Sequence, residues 1–381
     1  MKKLLIITDL PIWSIEENKG AQSFYQTYVH LDKNYDVTLL TTDENYTRDQ
    51  QDKKIILNKI LKFQLKIRFL NFIFGILCYF INLIFTFLLN YEEIKRSDIV
   101  YFYEIEFTPL AYWIRLFWPQ KKIISRFQGT VLQDQDCKNW KNIIKNYKHV
   151  LSISTQVNLL VMTDDGTNGD KIVELLNPKQ RYLFLKNGLD IGYICNEALR
   201  DKHEKIDLKK FITISRLVGW KNVNQSINYF REFALPNSQL LVIGDGPERD
   251  KLIKQNDDLL AHGSLIFKGA IDHTLLKEIL ENAHYYLGSF SLSNLGNGLY
   301  EAMAHGVIPI VTNSGNTSSF IKHGDNGFLI SNSSDLEGIF STITNAKECL
   351  RIAENAKRTA VFMNTWEERM AVEIKAIANA S

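Results

Sequence analysis

The sequence has few cysteines and none placed to pair with a neighbour: Cys78, Cys137, Cys195 and Cys349 lie far apart in 381 residues, without a CxxC. Isolated thiols disfavour a disulfide framework or a cysteine-based zinc site and suit a reducing compartment. An excess of either charge is also missing. The 45 Lys and Arg against 43 Asp and Glu leave +2, so no chain-wide basic field points to nucleic acid as a partner. No repeat with a period of roughly 20 to 50 residues is present. After Met1-Lys-Lys only Leu4 to Thr8 precede Asp9, a run too short for the core of a signal peptide, and a first strand is expected there instead.

What is present is the composition of a folded chain, 45% hydrophobic and 23% charged, long enough for two or three domains. Short apolar runs alternate with helical-period stretches, the pattern of βαβ units and parallel sheets. Buried strands are expected at Leu4 to Thr8, Val37 to Thr41, Ile99 to Phe102, Lys122 to Ser125, Val150 to Ser154 and Tyr182 to Leu185. A second set is expected at Phe211 to Ser215, Leu240 to Ile243, Leu265 to Phe267, Tyr285 to Gly288, Val307 to Val311 and Phe328 to Ile330. The fold class is α/β, as two Rossmann-like doubly wound domains whose strand ends face one cleft, where open α/β sheets bind ligands.

Two cations, Arg216 and Lys221, come after the strand FITIS and would face that cleft. A planar fork and a point charge suit a diphosphate whose charge grows as it leaves, although an isolated pair of this kind is more often a pair of solvated surface cations. Further on, SNLGNGLYEAMA passes from asparagines and glycines into good helix formers. The free N–H groups of a helix start make an anion site, and Glu301, one turn in, either complements the dipole or accepts hydroxyl hydrogen bonds.

These segments, with NGLD at 187–190, SRLVGWKN at 215–222, VIGDGPERDKL at 242–252, FKGAI at 267–271, SNLGNGLYEAMAHGVIPIV at 293–311 and NTWEE at 364–368, resemble in order and spacing the retaining GT-B enzymes of glycosyltransferase family 4. The resemblance is dense in the second half and thinner in the first. It implies an acceptor-binding domain at 1–190, a nucleotide-sugar-binding domain at 191–362, and a C-terminal helix at 363–381 returning to the first domain. It makes Arg216 and Lys221 the grip on the donor diphosphate and Glu301 the ribose contact. It also implies that Ser293, Asn294, Leu295, Gly296, Asn297 and Gly298 form the donor loop, that Gly20 and Ala21 approach the phosphates, and that Gly244, Asp245, Gly246 and Pro247 turn near the base. Asn187, Gly188 and Asp190 match a conformational motif near the hinge.

The departures concern the sugar. Ser293 stands where the family has a first glutamate, leaving Asn294 and Asn297 as the nearest polar groups, and Gly315-Asn316 with Ser319 replaces a GG-then-Glu pattern. SRFQGT at 125–130 lacks the usual histidine, which makes Gln128, with Arg126 and Glu104, the candidate acceptor contacts. No motif supplies a carboxylate nucleophile, since Glu104 and Glu106 read as solvated or structural. The family's dissociative transfer, in which the leaving phosphate takes the acceptor's proton, is therefore expected. Neither cofactor nor metal is expected: Asp164-Asp165 reads as part of a polar loop, and the two cations neutralise the diphosphate. The expected partners are a nucleotide-sugar donor and a glycan or lipid-linked acceptor. A nucleotide-sugar epimerase and a non-catalytic nucleotide-sugar binder are the rival readings.

One stretch departs from the soluble pattern. Lys53 to Arg68 carries Lys53, Lys54, Lys59, Lys62, Lys66 and Arg68 with no acid, and Phe69 to Leu89 has no charge over 21 residues. If the second part is helical, Asn71, Gly75, Cys78, Asn82 and Thr86 share one face, and Phe69, Ile73, Ile76, Phe80, Ile84 and Phe87 the other. A spanning helix, a buried helix and a lipid-facing helix all remain open. The last is favoured, because the segment falls between two strands of one sheet. A cytoplasmic protein held on an anionic inner membrane face through 53–89 is the resulting expectation.

Overall fold

The computed structural model describes residues 1–11, 15–16, 22–42, 54–61, 68–189, 202–203, 209–233, 237–332 and 334–380. Two parallel sheets organise them. The first comprises β1 (Lys3–Ile7), β2 (Asp36–Thr41), β3 (Ile55–Leu57), β4 (Ile99–Tyr103), β5 (Lys122–Phe127), β6 (Leu159–Thr163) and β7 (Tyr182–Leu185), in the order β3-β2-β1-β4-β5-β6-β7. The second comprises β8 (Lys210–Ile214), β9 (Gln239–Ile243), β10 (Leu265–Gly269), β11 (Tyr285–Gly288), β12 (Ile308–Thr312) and β13 (Phe328–Ile330), in the order β10-β9-β8-β11-β12-β13. Helices cover both faces, so central strands such as β4 (IVYFY) and β6 (LLVMT) are buried at every residue and show no alternation. The order reverses between β1 and β4 and between β8 and β11, which opens a crevice at the carboxyl ends of each sheet.

One expected strand needs correction. Val150 to Ser154 lies in the helix Tyr147–Ser154, and the strand is β6. In the basic stretch after Lys53, Ile55–Leu57 adds β3 to the edge of the sheet beside β2, and Lys54 pairs with Asp36 at 2.6 Å. Lys53, Lys62 and Lys66 lie outside the described residues.

The uncharged run does form a helix, Arg68–Leu89. Tyr79, Leu83, Thr86 and Phe87 are its buried face. The polar stripe points inward rather than to water: Asn82 bonds both backbone groups of Leu61, at 2.7 and 3.0 Å, and Thr86 accepts from Asn58 at 2.8 Å. The opposite stripe, Ile73, Leu77, Phe80, Ile84 and Leu88, is exposed. The inner face is thus mixed, with Tyr79, Leu83 and Phe87 in the core beside the bonded Asn82 and Thr86, while the outer face is apolar where the outer face of a surface helix is usually polar.

The helix Trp366–Ala378 starts at a capping box formed by Thr365 and Glu368. Its Trp366, Met370 and Ile377 pack into the core of the first sheet. Here Arg126 also finds its place. Its side chain is fully buried, 3.4 Å from Glu373, which Arg369 and the Tyr101 hydroxyl also bond. Alternation along β5 turns Arg126 towards this helix, so it is a buried structural charge and not an acceptor contact.

Candidate active site

The cleft is lined by the loops that leave the carboxyl ends of the strands. After β8, Arg216 is exposed and makes no ion pair among the described residues. Its backbone is set by the Gly244 turn: Leu217 N donates to Asp245 O at 2.8 Å, and a Cβ on Gly244, at φ +125°, would collide with the Ser215 carbonyl. Gly244, Asp245 and Gly246 thus shape the cation loop. Lys221 lies 4.2 Å from the Trp220 ring centroid and 3.9 Å from that of Phe290. Burial, partly offset by Asp165 and reinforced by Arg216, pushes its ammonium down to about 7.

The helix Asn297–Ala304 begins at Gly296, around which a side chain would meet nothing, so its N-terminus opens to the cleft. Gly298 has the opposite reason: a Cβ there would lie 3.0 Å from Ile214 Cβ, and the glycine lets the helix pack on the end of β8. Glu301 is largely buried, 4.0 Å from His273 Nδ1. Leu295 is core. Asn294 cannot replace a sugar contact: it is buried, accepts from Phe290 N at 3.2 Å and donates to Thr312 O at 2.7 Å and Ser314 Oγ at 3.1 Å. Ser293 accepts from Leu295 N at 3.1 Å. Of these polar groups Asn297 accepts a hydrogen bond from the first domain, from Asn187 at 3.0 Å, while Ser293 Oγ packs against Gly166.

That bond joins a wider network. Asn187 also donates to Gln128 at 3.3 Å, and Gln128 donates to the Tyr103 hydroxyl at 2.6 Å. Gln128 is therefore a strut of the cleft floor. Gly188 sits where a Cβ would lie 2.5 Å from the Trp366 backbone, locking the crossover to the last helix. Gly20, Ala21 and Asp190 fall outside the described residues.

On the first-sheet side, Glu104 comes after β4 at φ 70°, a conformation uncommon for a residue with a side chain. Burial and the neighbouring Asp9 push its carboxyl up to about 7 against the pull of Arg126 and Arg216. Glu106 is instead paired with Lys148 at 2.8 Å.

The aspartates read as a polar loop come directly after β6 and stand in the cleft. Asp164 is bonded by Lys186, while Asp165 accepts from the Thr167 hydroxyl at 2.6 Å and amide at 3.1 Å. A Cβ on Gly129 would strike the Asp165 carboxylate, so the glycine makes its room. Burial raises Asp165 to about 6 despite those hydrogen bonds and Lys221. The same loop touches the second domain, where Asn316 N donates to Gly166 O at 2.7 Å. A cavity of about 400 Å³ lies alongside, lined by Thr130, Thr167 and Lys171 from one side and Leu292 and Gly315 from the other. The signal that would have found Asp165 is the apolar run LLVMT ending on an acidic pair. Among the described residues, no three His, Cys, Asp or Glu side chains converge as a metal site.

Comparison with known proteins agrees with this arrangement. The family model "Glycosyl transferases group 1" matches residues 196–359. The lipopolysaccharide core biosynthesis glycosyltransferase LpsE of Rhizobium meliloti is 33% identical over 33% of this chain and 34% of its own length. The alpha-monoglucosyldiacylglycerol synthase of Acholeplasma laidlawii is 26% identical over 37% of this chain and 36% of its own. These matches thus span little more than a third of either relative. Over whole chains, sucrose-phosphate synthase from Thermosynechococcus elongatus superimposes with a TM-score of 0.74 at 13% identity, covering 100% of both chains. HepE of Anabaena in complex with UDP-glucose gives 0.70 at 14%, covering 99% of this chain and 100% of that one. Residues 196–359 thus match a group 1 glycosyl transferase domain, set in a two-domain GT-B fold that spans the whole chain.

Proposed function

We propose that the protein is a metal-independent, retaining glycosyltransferase that moves a sugar from a nucleoside diphosphate sugar to a glycan or lipid-linked acceptor at a membrane surface. The observation that carries this reading is the pairing of Arg216 and Lys221, neither in an ion pair among the described residues, with the open helix start at Gly296 across from a carboxylate-lined first domain. Two fixed cations and a helix N-terminus are what a departing diphosphate needs, and they do in a partly buried cleft what a metal ion does elsewhere. Glu301 would hold ribose hydroxyls. As the C1–O bond to the diphosphate breaks, the acceptor oxygen bonds C1 on the same face and its proton passes to the leaving phosphate oxygen.

UDP-sugars are the first donors to test, because the fold neighbour HepE holds UDP-glucose. A lipid-linked acceptor is favoured by the apolar face of the Arg68–Leu89 helix, which would rest on the cytoplasmic side of an anionic bilayer. UDP release from UDP-glucose, UDP-galactose and UDP-N-acetylglucosamine, measured with and without a membrane lipid extract, tests the reading. Extract-dependent release is expected. Failure to bind UDP or any other nucleoside diphosphate in calorimetry would sink it.

A further inference from the structure

At the amino end of the first sheet, away from the cleft, two cavities meet. One, of about 560 Å³, runs between the helices Ala111–Phe117 and Tyr147–Ser154 and has apolar walls of Ala111, Tyr112, Leu116 and Leu151. The other, of about 420 Å³, holds Arg115, Lys179 and Arg181, and among the described residues no carboxylate lines it. They share Arg115 and Gln156, so an apolar groove leads directly into a cluster of three cations.

The surroundings say what fits. Tyr112 and Leu116, 72% and 69% exposed, form the rim of the groove. Phe117 beside them, 55% exposed, packs 5.5 Å from Phe87 on the buried face of the Arg68–Leu89 helix, so the rim stands next to that helix. The groove itself ends at the cations. Ser154, Thr155 and Gln156 line the groove opposite these apolar side chains, and an apolar wall that ends in three cations matches a molecule with an apolar tail and a phosphate.

We propose that this groove binds an anionic phospholipid of the bilayer, with an acyl chain along Tyr112, Leu116 and Leu151 and its phosphate against Arg115, Lys179 and Arg181. The proposal rests on the membrane-surface reading given above and adds to it a defined lipid site. It orients the first domain, placing the amino ends of β6 and β7 against headgroups. Arg181 also donates to Asn379 O at 3.1 Å, so the last helix braces the site.

The test is co-sedimentation of the full chain with phosphatidylcholine vesicles, with and without a minor fraction of phosphatidylglycerol, at physiological salt. Arg115→Gln/Lys179→Gln leaves Arg181 and its brace intact, and Ser154→Trp fills the groove without touching charge. At ~1 kcal/mol per cation, roughly fivefold each, the double variant is expected to lose about 25-fold in partitioning onto phosphatidylglycerol vesicles and nothing on pure phosphatidylcholine. Ser154→Trp should weaken binding to both. UDP binding, measured as a check of the fold, should be unchanged in each, since the groove lies at the other end of the sheet. Partitioning of either variant equal to the parent would overturn the lipid site while leaving the membrane reading intact. So would displacement by inorganic phosphate beyond a sodium chloride control, which would assign the cations to a free anion. A parent chain that binds no vesicle would overturn both.

Discussion

The two lips of the cleft carry opposite chemistry on the same scaffold. The strands of the first sheet end in acids and amides, Asp9, Glu104, Gln128 and Asp165, whereas those of the second end in cations and glycines, Arg216, Lys221 and the Gly244 turn. A parallel sheet presents its carboxyl ends to a ligand whatever the sequence, so the fold alone does not divide the labour. The residue placed one or two positions past each strand does. An acid lip repels a diphosphate and hydrogen-bonds hydroxyls, while a basic lip attracts a diphosphate, and the proposed donor and acceptor sides rest on that difference.

The comparison breaks most sharply where the basic lip loses a charge. Arg216→Ala and Lys221→Ala are each expected to lower acceptor-dependent turnover by about two to three orders of magnitude, near 3 to 4 kcal/mol, without loss of fold in circular dichroism. Neutralising the other lip should act differently. Asp165→Asn removes a charged hydrogen-bond acceptor, worth about 1.5 to 3 kcal/mol, and should cut turnover about ten- to a hundredfold while UDP affinity holds or tightens. A parallel loss of UDP affinity would place Asp165 on the donor side and erase the division.

The basic lip should also respond to pH. Burial holds the donor-free Lys221 ammonium down at about 7, and a bound diphosphate requires it charged. UDP affinity should therefore be flat below about pH 7 and fall by about tenfold per unit above it, as proton uptake accompanies binding. Lys221→Arg should remove this alkaline limb, as calorimetry from acid to alkaline pH would show. The smallest effect is expected from excess chelator. Turnover should be unchanged, and restoration of lost turnover by magnesium or manganese would reveal a metal role for Asp164 and Asp165.

Both sheets were legible from short apolar runs because buried parallel strands need them at every residue. The sixth strand of the first sheet shows where that signal ends. VLSIS and LLVMT are both short apolar-rich runs of five residues, but only the longer window YKHVLSIS, with Tyr147, Val150 and Leu151 at helical spacing, marks the first as a helix. Misplacing that strand hid Asp165, since an acid's role depended on which run it came after. The placement of Arg216 and Lys221 in the loop after β8 was legible because the run FITIS marks the strand that they follow. Asn294 was not, because sequence gives its polarity but not that Thr312, Ser314 and Phe290 already take up its amide. Arg126 likewise showed its charge and not its buried partners.

The chain crosses between its two sheets twice, and the crossings touch. Leu189 pairs with Thr365 as a parallel bridge, with Leu189 N on Asn364 O at 3.0 Å and Trp366 N on Leu189 O at 3.3 Å. The donor half is thus an insertion whose two ends leave the first half side by side. Two stitched strands resist twisting about their own axis more than one does, so such a joint restrains a swivel of one half against the other. The same adjacency means that a short loop could replace the whole insert, and the first half, with its last helix still attached, could be tested as a free-standing unit.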